Sequence, residues 1–236
     1  MIDRQVCRLR RAFDLINHRP ARELRYVNPH ARWWWQRYLH DAYRQWDIEA
    51  AGGLRMITLI NGAWHFGEAA WNFDLNRIKR QSRAILAGYN YVVAIEFAPF
   101  RNHVMADNTG RIIAPHLQGL IWGETPGLRA RCAQLGAGLA GADPLRLLAI
   151  REAAGGFAGA VGCMVKPPHH GYRLYQDMYG CLHHQGEKLA LIRHHRLFTH
   201  LLPYDYPDLT LSGGGGRGGV AQVRATADRP FRRSQR

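Results

Sequence analysis

The sequence predicts an α+β fold, and three observations carry that prediction. Residues 91–97 and 112–122 are apolar runs rich in β-branched and aromatic side chains, separated by the turn signal Asp107-Asn108-Thr109-Gly110, which is the pattern of an antiparallel hairpin. Trp35, Leu39, Ala42 and Trp46 recur at helical spacing, so one face of an N-terminal helix is apolar. A chain of 236 residues, 47% hydrophobic and 21% charged, is long enough for one sizeable core with extensions.

Taken in order, residues 1–50 read as a basic, aromatic helical extension, with Arg32, Arg37 and Arg44 set among Trp33-Trp34-Trp35, Tyr38 and Trp46. Such a helix packs its apolar face on a sheet, and its guanidinium and aromatic groups are also suited to gripping phosphates and stacking bases. After Gly52-Gly53 a strand is expected over Met56-Ile57-Thr58-Leu59-Ile60-Asn61. A helix follows from Asp74 to Leu86, with Asp74 able to accept the free amides of its first turn and Arg77, Lys79, Arg80 and Arg83 along it. Beyond the hairpin come a small-residue segment over 127–141 and a helix from about Pro144 toward Ala153. Residues 155–162 suit a helix poorly, because each internal glycine costs about 0.5 to 1 kcal/mol relative to alanine. Lys166-Pro167-Pro168 ends whatever helix precedes it. Residues 171–211 read as a helical extension rich in tyrosine and histidine. The segment 212–236, with its glycine run, Arg217 and further arginines, reads as a disordered basic arm. The main domain is thus expected over 51–170.

The chemistry is concentrated in Pro115-His116-Leu117-Gln118-Gly119. Side chains alternate faces along a strand, so His116 and Gln118 share one face. Burying an imidazole beside a carboxamide is costly unless both find partners. In the preceding run Glu96 is a lone carboxylate that needs a cation or donors. If the hairpin register sets even-numbered residues on a common face, Glu96 joins His116 and Gln118. A tight turn centred on Asn108-Thr109 gives the wrong parity, so a longer loop or a bulge is required. The resulting carboxylate, imidazole and amide suit Mg²⁺ or Mn²⁺ better than zinc.

These residues, with Thr58, Leu59 and Asn61 before them and Lys166 after, follow the motif order of the rolling-circle replication initiators (Rep) of the HUH endonuclease superfamily, and the chain resembles that family over roughly residues 54–170. The His-Leu-Gln second motif is similar to that of circovirus-like members. The resemblance implies an antiparallel five-stranded sheet flanked by helices, with helical extensions at both ends here, and a divalent metal on Glu96, His116 and Gln118. It also implies a tyrosine that cuts single-stranded DNA or a DNA hairpin, and a lysine, matched by Lys166, that positions or neutralises the phosphate. At the two usual spacings before Lys166 stand Cys163 and Gly162 rather than tyrosine. Tyr172, Tyr175 and Tyr179 follow closely, and Tyr175, one helical turn before Tyr179, is the expected replacement nucleophile.

A formal charge of +14 and a pI near 10.3 favour a polyanionic partner, although ribosome-associated and membrane-surface proteins share that balance. No apolar run reaches the roughly 18 residues of a membrane span, and the opening Met1-Ile2-Asp3-Arg4 does not resemble a secretory signal. Cys7, Cys132, Cys163 and Cys181 are scattered, as expected for a reducing cytoplasm. Cys181-Leu182-His183-His184 has two metal-binding residue types, but no second pair completes a zinc pattern. Two classes of function follow: a metal-dependent nicking protein of a plasmid, phage or other mobile element, with host replication proteins as candidate partners, or a nucleophile-dead module of the same fold that grips single-stranded DNA without cutting it.

Overall fold

The computed structural model describes residues 26–27, 29–43, 52–102, 110–135, 143–150, 156–166 and 170–233. Its centre is a pair of twelve-residue antiparallel strands, β3 (Asn90–Arg101) and β4 (Arg111–Trp122). Both are buried almost throughout, so the continuous apolar runs mark strands covered on both sides. Gly119 lies opposite Val93, and a Cβ there would sit 2.5 Å from the Val93 Cα. The closing glycine of the His-Leu-Gln-Gly stretch therefore lets the two backbones meet. The other flank of β4 takes β1 (Arg55–Ile60) and the two-residue β2 (Phe66–Gly67). Along β1 runs β5 (Leu145–Ala149), also antiparallel.

The C-terminal third completes the sheet. β6 (His170–Gln176) and β7 (Leu182–Lys188) form a hairpin, and β6 joins the far end of β3 in parallel through Phe100 and Arg101. β8 (Thr210–Gly213) pairs antiparallel with the near end of β3, from Tyr91 to Ala94. The fold is α+β, as expected, but among the described residues its sheet has eight strands and is mixed rather than five-stranded and antiparallel.

Among the described residues seven helices accompany the sheet: α1 (Pro29–Tyr43), α2 (Leu75–Ile85), α3 (Leu128–Ala133), α4 (Gly156–Met164), α5 (Leu191–Leu201), the one-turn α6 (Tyr206–Leu209) and α7 (Gly216–Arg233). On α1 the expected face is the buried one, with Ala31, Trp35, Leu39 and Ala42 inside; Trp46 and Arg44 lie outside the described residues. Asp74 caps α2 as anticipated, its side chain accepting from the Arg77 amide at 2.9 Å. Among the described residues no helix is long and apolar enough to cross a membrane.

Four local expectations differ from the structure. Residues 156–164 form α4 despite their glycines, because Ala160, Val161 and Met164 are buried in the core. The segment after Pro144 is β5 rather than a helix, because Leu145 and its neighbours complete the free flank of β1, and pairing outweighs intrinsic preference. Residues 171–211 hold the β6–β7 hairpin and β8 besides α5 and α6, so Tyr175 and Tyr179 are not one helical turn apart. The glycine-rich tail is not a disordered arm up to Arg233. A Cβ on Gly213 would lie 2.2 Å from the Tyr91 ring, and one on Gly216 2.3 Å from the Tyr91 carbonyl oxygen. The glycines admit close packing, and α7 then buries Val220 and Val223. Residues 107–109 of the expected turn lie outside the described residues. The register pairs Arg101 with Arg111, leaving nine residues between them and giving the parity that the site needs.

A candidate metal and phosphate cleft

Glu96 and His116 are direct partners across β3 and β4, and Gln118 stands two residues along on the same face, opposite Thr58 of β1. The three side chains converge. His116 Nε2 lies 3.4 Å from Glu96 Oε2, and with its amide nitrogen toward Glu96, Gln118 donates to both carboxylate oxygens at 3.2 and 2.8 Å. His116 Nδ1 is 3.3 Å from the Ala114 carbonyl oxygen. A proton on Nδ1 donated to that carbonyl leaves the Nε2 lone pair toward Glu96, the orientation that a ligating histidine requires. Glu96 is 3% exposed and His116 17%, so a cation can enter from the His116 side while the carboxylate stays shielded.

Lys166 reaches the same oxygen, with Nζ 3.6 Å from Glu96 Oε2. It follows α4, and the turn carrying it is tied down by two buried phenols: Tyr26 donates to the Lys166 carbonyl at 3.3 Å, and Tyr206 to that of Val165 at 3.1 Å. Burial, and next the charge of Glu96, push the Tyr26 phenol well above its ordinary value. Tyr206 is raised mainly by burial. Both are thus locked as donors. Burial works against the charge on Lys166, but Glu96, Tyr172 and Cys163 together outweigh it and hold the ammonium above the ordinary lysine value. A raised lysine contributes stability that is fully present below its ordinary pKa of 10.5 and is lost as pH rises through the higher folded value. The melting-temperature gap between wild type and Lys166→Met should therefore stay level from about pH 6 to 9 and shrink only in strong alkali. A gap that closes near neutrality would contradict this pairing.

The triad opens into a cleft of about 710 Å³ lined by residues of six strands, among them Thr58, His116, Gln118, Arg146, Tyr172 and His184, with Lys166 at its rim. That size suits a nucleotide-sized ligand. Arg129 also lines it, ion-paired with Asp143 at 2.6 Å. Arg146 is not among the site residues expected from the sequence, since a helix is expected over 144–153. As a strand, the segment sets Arg146 opposite Thr58 and so on the Gln118 face.

Of the three tyrosines only Tyr172 lines this cleft, stacked on Phe100 with ring centroids 5.0 Å apart. Tyr175, the expected nucleophile, is turned away by strand alternation. It is 45% exposed and stacks on His183, whose Nε2 meets Asp177 at 2.7 Å. Tyr179 stands in the β6–β7 turn, 83% exposed. Cys163, half-buried on α4, is near enough to Lys166 to raise it. Arg37, Arg77, Lys79, Arg80 and Arg217 do not line the cleft. Arg32 does not line it either, but its charge acts on Tyr26 and Tyr206 behind the Lys166 turn.

With the Gln118 amide oxygen turned toward Glu96 instead, the carboxylate, the amide and one imidazole would offer a cation an oxygen-rich set with a single nitrogen, compatible with Mg²⁺ or Mn²⁺. Among the described residues no group of three or more His, Cys, Asp and Glu gathers in a way that could hold a metal; the third member of this triad is the Gln118 amide. No family model, curated protein or solved structure matches the chain.

Proposed function

We propose that the chain is a rolling-circle initiator-like protein that binds single-stranded DNA in this cleft and nicks it with the help of a divalent cation. The observation that carries the reading is the register pairing Glu96 with His116, which gathers Glu96, His116 and Gln118 beneath a cleft edged by Lys166, Arg129 and Arg146. Glu96, His116 and Gln118 would hold Mg²⁺ or Mn²⁺, which supplies Lewis-acid polarisation of a non-bridging phosphate oxygen. Lys166 and Arg146 would bind and orient the phosphate, and Lys166 would offset the charge gathering on it.

Tyr172 takes the place first assigned to Tyr175, since a nucleophile must come within about 3 to 3.5 Å of phosphorus and this phenol shares the cleft with His116 and Lys166. Its Oη would attack the phosphorus, an Oη–P bond forming as the P–O3′ bond breaks. The phenolic proton passes to water, and the departing 3′ oxygen takes one up. The test is incubation of labelled single-stranded DNA with the protein and Mn²⁺. Wild type should cut and keep a covalent adduct, and Tyr172→Phe should lose both while still binding DNA. Undiminished adduct from Tyr172→Phe removes this residue from the reaction.

One observation favours a second reading. Glu96 already has Gln118, His116 and Lys166 as partners, so the cluster is electrostatically satisfied by protein groups and would serve a module that grips single-stranded DNA without cutting. Binding with no cleavage in Mn²⁺, and no Mn²⁺-dependent rise in melting temperature, selects that reading.

A further inference from the structure

The outer face of α1 carries aromatic surface that the fold does not use. Its inner face is complete with Ala31, Trp35, Leu39 and Ala42, yet Trp33 and Trp34 are 53% and 39% exposed. Their rings lie 4.8 Å apart at 74°, and Trp34 stacks on Tyr38 at 5.8 Å. The Arg37 guanidinium sits 5.6 Å from the Trp33 centroid and 6.0 Å from that of Trp34. Two adjacent solvent-facing indoles expose more apolar area than solubility favours, and such patches mark contact sites. Arg37 selects the kind of contact. Its acidic neighbour Asp41 is 4.0 Å away, with both side chains more than half exposed, so the pair is weak and a phosphate can replace the carboxylate.

We propose that this face is a stacking platform for single-stranded DNA, with bases on Trp33 and Trp34 and a phosphate on Arg37. Every base has a π-face, so the platform is tolerant of sequence. Charge complementarity supports a polyanion: the chain carries a net +14. Position supports it too, because α1 lies on α4, the helix that delivers Lys166 to the cleft. Phe157 of α4 meets His40 with ring centroids 5.4 Å apart, and Gln36 borders Gly162. The platform helix and the cleft are therefore joined through α4. The inference rests on the reading that the cleft works on single-stranded DNA, and it adds a second, distinct contact.

The test uses the full chain, without metal, and a labelled oligothymidylate of about twenty nucleotides followed by fluorescence anisotropy over a salt series. Changing Trp33 and Trp34 together to alanine should weaken binding about ten- to a hundredfold at unchanged salt slope, whereas changing both to phenylalanine should keep most of the affinity. Arg37→Gln should reduce the salt slope by about one. Because both indoles are exposed, the far-ultraviolet dichroism should not change. Tryptophan fluorescence of the wild type should be quenched on binding, a check that needs no variant. Equal affinity of the double-alanine variant and wild type overturns the platform, as does a wild type that does not bind the oligonucleotide. So does a double-alanine variant that binds DNA normally but loses self-association in sedimentation, which would make the face an interface between copies. A protein that binds through these tryptophans yet cuts nothing in Mn²⁺ sinks the nuclease reading and keeps the platform. A protein that cuts but ignores the tryptophans does the reverse.

Discussion

Removing residues 213–236 should lower the melting temperature by roughly 10 °C or more, rather than trim a mobile arm. The deletion takes away α7 with its buried Val220 and Val223, and burying two valines is worth about 3 to 6 kcal/mol. It also removes the Gly213 partner of Tyr91 and the bond from the Gly215 amide to Asn90 Oδ1 at 2.9 Å. Tyr91, Val92 and Trp122, buried in the intact chain, would gain access to water where the segment packs. Against a total stability of about 5 to 15 kcal/mol this is a large fraction. Thermal unfolding followed by circular dichroism measures it. A truncated chain that melts with the wild type would mean that these glycines and valines contribute nothing to the core.

His116→Ala should abolish any rise in melting temperature on adding Mn²⁺ and reduce cleavage about a hundredfold or more, several kcal/mol of charge stabilisation being lost with the cation. His116 presents Nε2 toward Glu96 while the Ala114 carbonyl engages Nδ1, so truncation removes the most exposed donor of the set, the one at the cation's entry side. Metal-free affinity for oligothymidylate should change little, because Lys166, Arg129 and Arg146 remain. Calorimetric titration with Mn²⁺ separates the outcomes. If His116→Ala binds the ion as tightly as wild type, the triad is not its site, and Glu96, His116 and Gln118 form a polar cluster held together by protein groups alone.

What the sequence determined by itself was local or periodic. Trp35, Leu39 and Ala42 at helical spacing define the buried face of α1, and Asp74 marks the start of α2, because helix faces and caps depend on residues three or four apart. Alternation along β4 makes neighbours of His116 and Gln118 in any register, and the two apolar runs name β3 and β4. Glu96 needed one more piece of information, the parity of the loop after Arg101, which only the pairing of the strands supplies. The remaining features depended on contacts between residues far apart in the chain. Residues 144–153 have no strong intrinsic preference against a helix, and a strand forms there because the flank of β1 is open to Leu145. The glycine run after Ser212 has the composition of a flexible linker, but its small residues fit against Tyr91, more than a hundred positions earlier. Tyr172 rather than Tyr175 faces the cleft because β6 pairs with β3 at Phe100, and strand alternation then turns Tyr175 away. Spacing within a segment specifies which side chains share a face, whereas the partner that the face meets is chosen by long-range burial and pairing, and that choice decides which tyrosine, which arginine and which lysine stand around Glu96.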